Sequence, residues 1–227
     1  MEPPCLHEYQ SADKETGMSS RILVADDHAI FREGLKQVIA TTVDMTVVDE
    51  AVNTQELLSK VQSNDYDMVI LDISMPGRNG LDALVEMKNI KPKLPVLVMS
   101  MHPEEQYALR AYKSGASGYL TKGSPSQELL DALHKISLGK KYVSSALAEL
   151  LVSGLNDPAQ QDLHHSLSNR EYQVMSLIAS GKTVGKIAVE LSLSVKTVST
   201  YRAHILRKLN MKNNAELTRF VIENNLL

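Results

Sequence analysis

The 227-residue chain is 43% apolar and 22% charged with a net charge of −3, a globular balance that excludes fibrous and intrinsically disordered classes. Its apolar runs fall far short of the ~20 residues that cross a bilayer, and a lone cysteine, Cys5, excludes an intramolecular disulfide. Residues 1–19 carry acids and prolines but no apolar h-region, so no secretory signal is expected and the expected compartment is the cytoplasm.

Those first 19 residues read as a disordered tail, in which Met18 could serve as the start of a shorter product. From residue 20 the pattern alternates. "RILVA" (21–25), "MTVVDEA" (45–51), "DMVIL" (67–71), "LPVLVM" (94–99) and "SGYL" (117–120) read as short buried strands. Helical periodicity fills the gaps at 29–40, 54–63, 80–89, 104–114 and 125–138, with Asn53 or Thr54 and Ser124 or Ser126 as expected caps. Five such repeats predict an α/β domain over 20–139, a five-stranded parallel sheet with helices on both faces. Ligands of such sheets collect beyond the carboxyl ends of the strands, where Asp26, Asp27, Asp72, Ser100 and Lys122 all fall.

Residues 140–165 read as a linker: "KKYVSSALAELLVSGL" predicts one short helix and "NDPAQQDLHHS" a solvated connection. The adjacent His164 and His165 are poorly spaced for a metal pair on one helix face. Over 166–227 the pattern is all-α. A capping box, "SNRE" (168–171), opens the first of four helices at 169–180, 184–191, 195–210 and 214–224; Gly181 stops the first, and "LSLS" (191–194) turns between the second and third. Charge divides along the same line. Residues 1–140 hold 14 Lys and Arg against 20 Asp and Glu, net −6, whereas 168–227 hold 9 against 4, net +5. Two modules with different partners are implied.

Three carboxylates at neighbouring strand ends repel one another unless a cation sits among them. Oxygen ligands favour a hard ion, and a site with few protein ligands suits Mg²⁺. A carboxylate beside such an ion can attack phosphorus to form an aspartyl phosphate, with the Lys122 ammonium and the Ser100 hydroxyl stabilising the transferred oxygens. A phosphohydrolase would share that intermediate. Such enzymes commonly carry a second acid two residues after the nucleophile, where this chain has Ser74.

"ILVADDHAIFREGL", "DMVILDISMPGRNGLDAL", "VLVMSMH" and "AYKSGASGYLTKG" resemble the receiver domain of a bacterial response regulator over residues 21–138, which implies a doubly wound, flavodoxin-like sheet. By that resemblance Asp72 is the phosphoacceptor for a sensor histidine kinase. Asp27, Asp72 and the Ser74 backbone carbonyl bind Mg²⁺, with Asp26 helping partly through water. Ser100 and Tyr119 are the hydroxyl and aromatic switches, Lys122 is the characteristic lysine, and His28–Phe31 helps meet the kinase. Gly123 stands where many receivers have proline.

The stretch from Leu167 to Leu217 resembles the LuxR-type helix-turn-helix domain, and with the receiver it places the chain from residue 21 in the NarL/FixJ family of response regulators. No acid lies between Glu190 and Glu216, while Lys196, Arg202, Arg207, Lys208 and Lys212 do, a bias suited to double-stranded DNA. On helix 195–210, Val198, Tyr201, Ile205 and Leu209 are expected to face the core, leaving Lys196, Ser199, Thr200, Ala203 and Arg207 on the opposite stripe. Ser199, Thr200 and Ala203 match base-reading positions of the family. Lys182, Thr183 and Lys186 are expected at phosphates, although "TVGK" departs from the family's usual Ser-Asn-Lys-Glu. Leu217, Phe220 and Val221 fit either core or a dimer seam, and the resemblance favours the seam. Phosphorylation is expected to expose the DNA-binding helix or to favour homodimers on two-fold half-sites. The rival is a DNA-binding protein that works without phosphorylation, its receiver a dimer scaffold.

Overall fold

The computed structural model describes residues 19–75, 79–154, 166–224 and 226, with side chains described except at 150–154. The expectations for residues 1–18, including Cys5 and Met18, and for 155–165, including His164 and His165, lie outside these residues.

Strands β1 (Ser20–Ala25), β2 (Met45–Ala51), β3 (Met68–Asp72), β4 (Val96–Ser100) and β5 (Gly118–Thr121) form one parallel sheet in the order β2-β1-β3-β4-β5. Each is followed by a helix: α1 (Ala29–Ile39), α2 (Thr54–Ser63), α3 (Gly80–Ile90), α4 (Glu104–Lys113) and α5 (Ser126–Ser137). Alternation along the strands divides the core. Ile22, Val24, Met68, Ile70, Leu97 and Met99 pack with Leu35 and Ile39 of α1 and Leu129 and Leu133 of α5. Leu23, Val69, Leu71, Val96 and Val98 pack on the other face with Leu57, Leu84 and Tyr107 of α2, α3 and α4. Each fully buried aliphatic side chain contributes about 1.5–3 kcal/mol.

The Asn53 side chain caps α2 by accepting from the Glu56 N–H. Neither Ser124 nor Ser126 caps α5: Pro125 holds the N-cap position with no side-chain bond, and Ser126 is already the first helical residue. A proline's fixed φ suits a helix start.

Helix α6 (Ser145–Gly154) is the short helix expected after the sheet. The helical end comprises α7 (Asn169–Ala179), α8 (Val184–Glu190), α9 (Val195–Lys208) and α10 (Asn214–Glu223). Ser168 and Glu171 form the predicted capping box at α7. Gly181, at φ +82°, ends α7 in a left-handed turn in which its N–H donates to Ile178 O and the Lys182 N–H to Leu177 O, a conformation that favours glycine. Among the described residues no helix is long and apolar enough to cross a membrane.

Candidate phosphoacceptor site and nucleic-acid interface

Asp26 and Asp72 end adjacent strands and are almost fully buried, 2% and 1% exposed. Lys122, one residue beyond β5, reaches across the strand ends: its Nζ lies 2.6 Å from Asp26 Oδ2 and 2.7 Å from Asp72 Oδ2. Burial works against the Lys122 ammonium, but the bonds from Asp26 and Asp72 outweigh it and raise its pKa. Burial pushes the Asp72 carboxyl up, and the Lys122 and Ser74 bonds offset this only in part. The Ser74 N–H donates to Asp72 Oδ1 at 2.8 Å. The Phe31 ring lies beneath the Lys122 ammonium, 4.7 Å from its centroid, a cation–π contact.

The remaining acid, Asp27, is partly exposed, yet its Oδ1 is a buried oxygen without a hydrogen-bond partner. Asp26, Asp27 and Asp72, with His28, each offer a ligand atom within 4.8 Å of the others. The His28 Nδ1 stands 2.9 Å from Asp27 Oδ1, and three clustered carboxylates are an arrangement that a hard divalent cation satisfies.

Ser100 is fully buried and its Oγ accepts from the His102 N–H. Tyr119, also fully buried, donates its hydroxyl to the His102 carbonyl at 2.9 Å, and burial raises its pKa. The His102 ring stacks on Tyr107, centroids 4.4 Å apart. Tyr107 in turn meets Tyr172 of α7 edge-on at 5.3 Å. Arg110 lays its guanidinium 4.1 Å from the centre of the Tyr172 ring and donates to the Leu167 carbonyl. A second contact joins Asn79, the N-cap of α3, to Gln173 of α7. Between these contacts, beside Asp27 and Ser74, lies a cavity of about 280 Å³, with Arg170, Gln173 and Ser176 on its far wall. His102, Tyr107, Arg110, Asn79, Tyr172 and Gln173 carry no sequence signal for this docking. Each reads as an ordinary member of its own element.

Along α9, Val198, Ile205 and Leu209 are buried and Tyr201 is half-buried. Lys196, Ser199, Thr200, Ala203 and Arg207 are all exposed on the opposite stripe. They are exposed while α7 is docked on the sheet domain, so undocking is not needed to uncover them. At α8, the Thr183 hydroxyl caps the helix by accepting from the Lys186 N–H. Lys182 pairs with Glu190 at 2.6 Å, and Lys186 is exposed. The expected seam on α10 needs correction. Leu217 and Val221 are fully buried in the core of their own domain and the half-buried Phe220 packs against it, while Ala215, Glu216, Arg219, Ile222 and Glu223 are exposed and Thr218 is half-buried.

A paired-acid pocket at the strand ends of a doubly wound sheet, followed by a basic helix-turn-helix, defines a signal-receiving regulator of transcription. Residues 22–134 match the response regulator receiver domain, and residues 165–221 match the luxR family of bacterial regulatory proteins. The chain is 36% identical to the oxygen regulatory protein NreC of Staphylococcus epidermidis, covering 91% of this chain and 99% of NreC. It is 32% identical to the response regulator UvrY of Escherichia coli, covering 90% and 94%. The solved complex of the response regulator RcsB with DNA aligns over 90% of this chain and 98% of RcsB, at 26% identity and a TM-score of 0.58. The chain belongs to the NarL/FixJ family of two-component response regulators, DNA-binding regulators of transcription rather than conventional enzymes.

Proposed function

We propose that Asp72 accepts a phosphoryl group from a sensor histidine kinase and that its phosphorylation controls sequence-specific DNA binding. The observation that carries this reading is the Lys122 ammonium, clamped between two buried carboxylates at the strand ends. Asp27, Asp72 and the Ser74 carbonyl, with Asp26 alongside, would hold Mg²⁺, which supplies positive charge against the transferred oxygens. An Asp72 carboxylate oxygen attacks phosphorus, a P–O bond forms, and the P–N bond to the donor imidazole breaks with its electron pair leaving on nitrogen. Lys122 exchanges its bond to Asp72 for one to a phosphoryl oxygen, and the Ser100 hydroxyl donates to another.

The kinase contact falls on α1 and α5. An apolar groove of about 560 Å³ runs between them, lined by Ile30, Phe31, Leu35, Met101 and Leu129 and reaching Lys122. Ile30 is 91% exposed, a wet apolar side chain suited to a partner helix. Phosphorylation draws Ser100 and Tyr119 toward the phosphate, releases the His102 carbonyl, and so loosens the Tyr107–Tyr172 contact. A shift from 1:99 to 99:1 between docked and undocked forms takes about 5.5 kcal/mol. Two released chains then pair, with Ala215, Thr218 and Ile222 of α10 as the seam, and read two half-sites. Lys196, Ser199, Thr200, Ala203 and Arg207 meet the major groove, and Lys182, Thr183 and Lys186 meet phosphates.

The test is Asp72→Ala with phosphoramidate as donor. Wild-type protein is expected to incorporate one labelled phosphate and bind DNA more tightly, and the variant to do neither. A variant that still responds fully to the donor rejects Asp72 as acceptor, whereas wild-type protein that binds DNA equally well with and without the donor and takes up no phosphate favours the phosphorylation-independent reading.

A further inference from the structure

We infer that α9 reads its half-sites by methyl contacts: Thr200 and Ala203 meet C5-methyl groups on the floor of the major groove, from thymine or from 5-methylcytosine. The inference rests on the proposed seating of α9 in that groove.

What brings DNA to this face is charge. No acid lies between Glu190 and Glu216, and Lys196 and Arg207 stand exposed at either end of the stripe that faces away from the core. At 1.5 Å per residue the two are about 16 Å apart along the helix, more than the ~12 Å width of the major groove. Their long side chains therefore suit the phosphates on its walls rather than the bases between.

The hydrogen-bonding groups between these cations are committed or undiscriminating. The Thr200 hydroxyl donates to the Lys196 carbonyl at 3.0 Å, which uses its one donor and leaves the methyl as its distinguishing contact. Ala203 is exposed and has only a methyl to present. At the helix start the Ser194 and Thr197 hydroxyls bond one another at 2.7 Å, and Ser194 also accepts from the Thr197 N–H. Arg202 is turned to Asn214 and Lys208 to Glu171, each at 2.6 Å. Val195, in the first turn, is apolar and 55% exposed. Ser199 is exposed, but a rotating hydroxyl serves donors and acceptors alike and distinguishes few bases. Serine, threonine and alanine cannot make the bidentate bonds by which Arg picks guanine or Asn picks adenine. A C5-methyl is the major-groove feature recognised without a hydrogen bond, and threonine and alanine methyls are suitable partners for it.

The experiment selects duplexes from random-sequence DNA with the full chain, with and without phosphoramidate, and remakes the selected duplex in two series. In one, each half-site thymine is replaced by uracil, which lacks only the methyl. In the other, cytosine and 5-methylcytosine are compared at the same positions. Uracil is expected to weaken binding about fourfold at each contacted thymine, the factor for one buried methylene-sized group, and 5-methylcytosine to bind more tightly than cytosine there by a similar factor. Thr200→Ser should abolish the thymine preference at one position and Ala203→Gly at another, while Thr200→Val should retain it whatever its overall affinity. Each comparison sets two DNAs against one protein, so a lower folded fraction cancels. Equal affinity for thymine and uracil at every position overturns the inference, as does equal affinity for cytosine and 5-methylcytosine. A preference that survives both T200S and A203G, or that T200V also loses, overturns it as well, since the methyls would not then be its source. A chain that selects no sequence in either condition overturns the seating of α9 itself, and the inference with it.

Discussion

Tyr107 of α4 and Tyr172 of α7 meet edge-on across the two halves of the chain, 5.3 Å between ring centres, with both side chains buried. Aromatic pairs in this geometry contribute about 0.5–1.5 kcal/mol beyond their area, and the Arg110 guanidinium over Tyr172 adds a similar amount. Tyr107→Ala is therefore expected to undock the helix-turn-helix without unfolding it. Small-angle scattering should show a larger radius of gyration with unchanged helical circular dichroism. An unaltered scattering curve would remove this contact from the coupling scheme.

Gly80 opens α3 with its α-carbon against the β3 end. A β-carbon there would stand 2.4 Å from Ile73 Cα and 2.9 Å from the Ile73 carbonyl oxygen. These are backbone atoms one residue from Asp72 and cannot swing aside. Gly80→Ala is expected to cost at least about 1–3 kcal/mol and to slow phosphate incorporation, read by denaturant titration and labelled phosphoramidate. Full stability in the variant contradicts the packing described.

Lys122 neutralises two buried acids, and its own side chain is only 5% exposed. Lys122→Met leaves both carboxylates uncompensated, a loss of about 3–5 kcal/mol when a buried pair is broken. Thermal unfolding with and without Mg²⁺ is the check. The melting temperature should fall without the ion, and Mg²⁺ should recover more of it in the variant than it adds to wild type. Equal increments would show that lysine and cation do not serve the same acids.

Glu171 accepts from the Ser168 N–H and pairs with Lys208 at 2.6 Å. Burial pushes the Glu171 carboxyl up, but Lys208 and Ser168 overcome this and hold it below its ordinary value near 4.5. Its stabilisation is therefore present above about pH 5 and lost as pH falls through the folded pKa. The half-exposed Lys208 keeps the pair near 1 kcal/mol. Glu171→Gln should flatten the stability of the helical domain between pH 5 and 3; an unchanged slope there would contradict the assignment.

On α9, Lys196 and Arg207 stand exposed on the stripe opposite the core. Each replaced by Ala should weaken binding to every DNA sequence about equally and reduce the salt slope by about one. Ser199 and Thr200 substitutions should instead alter which fragments are selected. A salt slope unmoved by both basic substitutions would place DNA on another face.

Short apolar runs interleaved with helical periodicity made the sheet legible in the sequence, and the parallel topology they imply put Asp26, Asp72, Ser100 and Lys122 at one rim. The stripe on α9 was legible because a 14-residue helix repeats its period several times. Leu217 and Val221 read equally well as core or seam, since spacing by four marks an apolar face without saying what covers it. Docking through Arg110 and Tyr172 was hidden for a related reason. A contact spanning 62 residues has no local period, and a buried arginine in a helix looks like any surface one.

The open stripe on α9 has a quantitative consequence. Under the proposed pairing, a regulator whose reading surface is already open would be held silent by scarcity of pairs, and pairs grow with the square of chain concentration. Doubling the amount of protein would quadruple the paired form while pairs remain rare, so overproduction alone would imitate the signal.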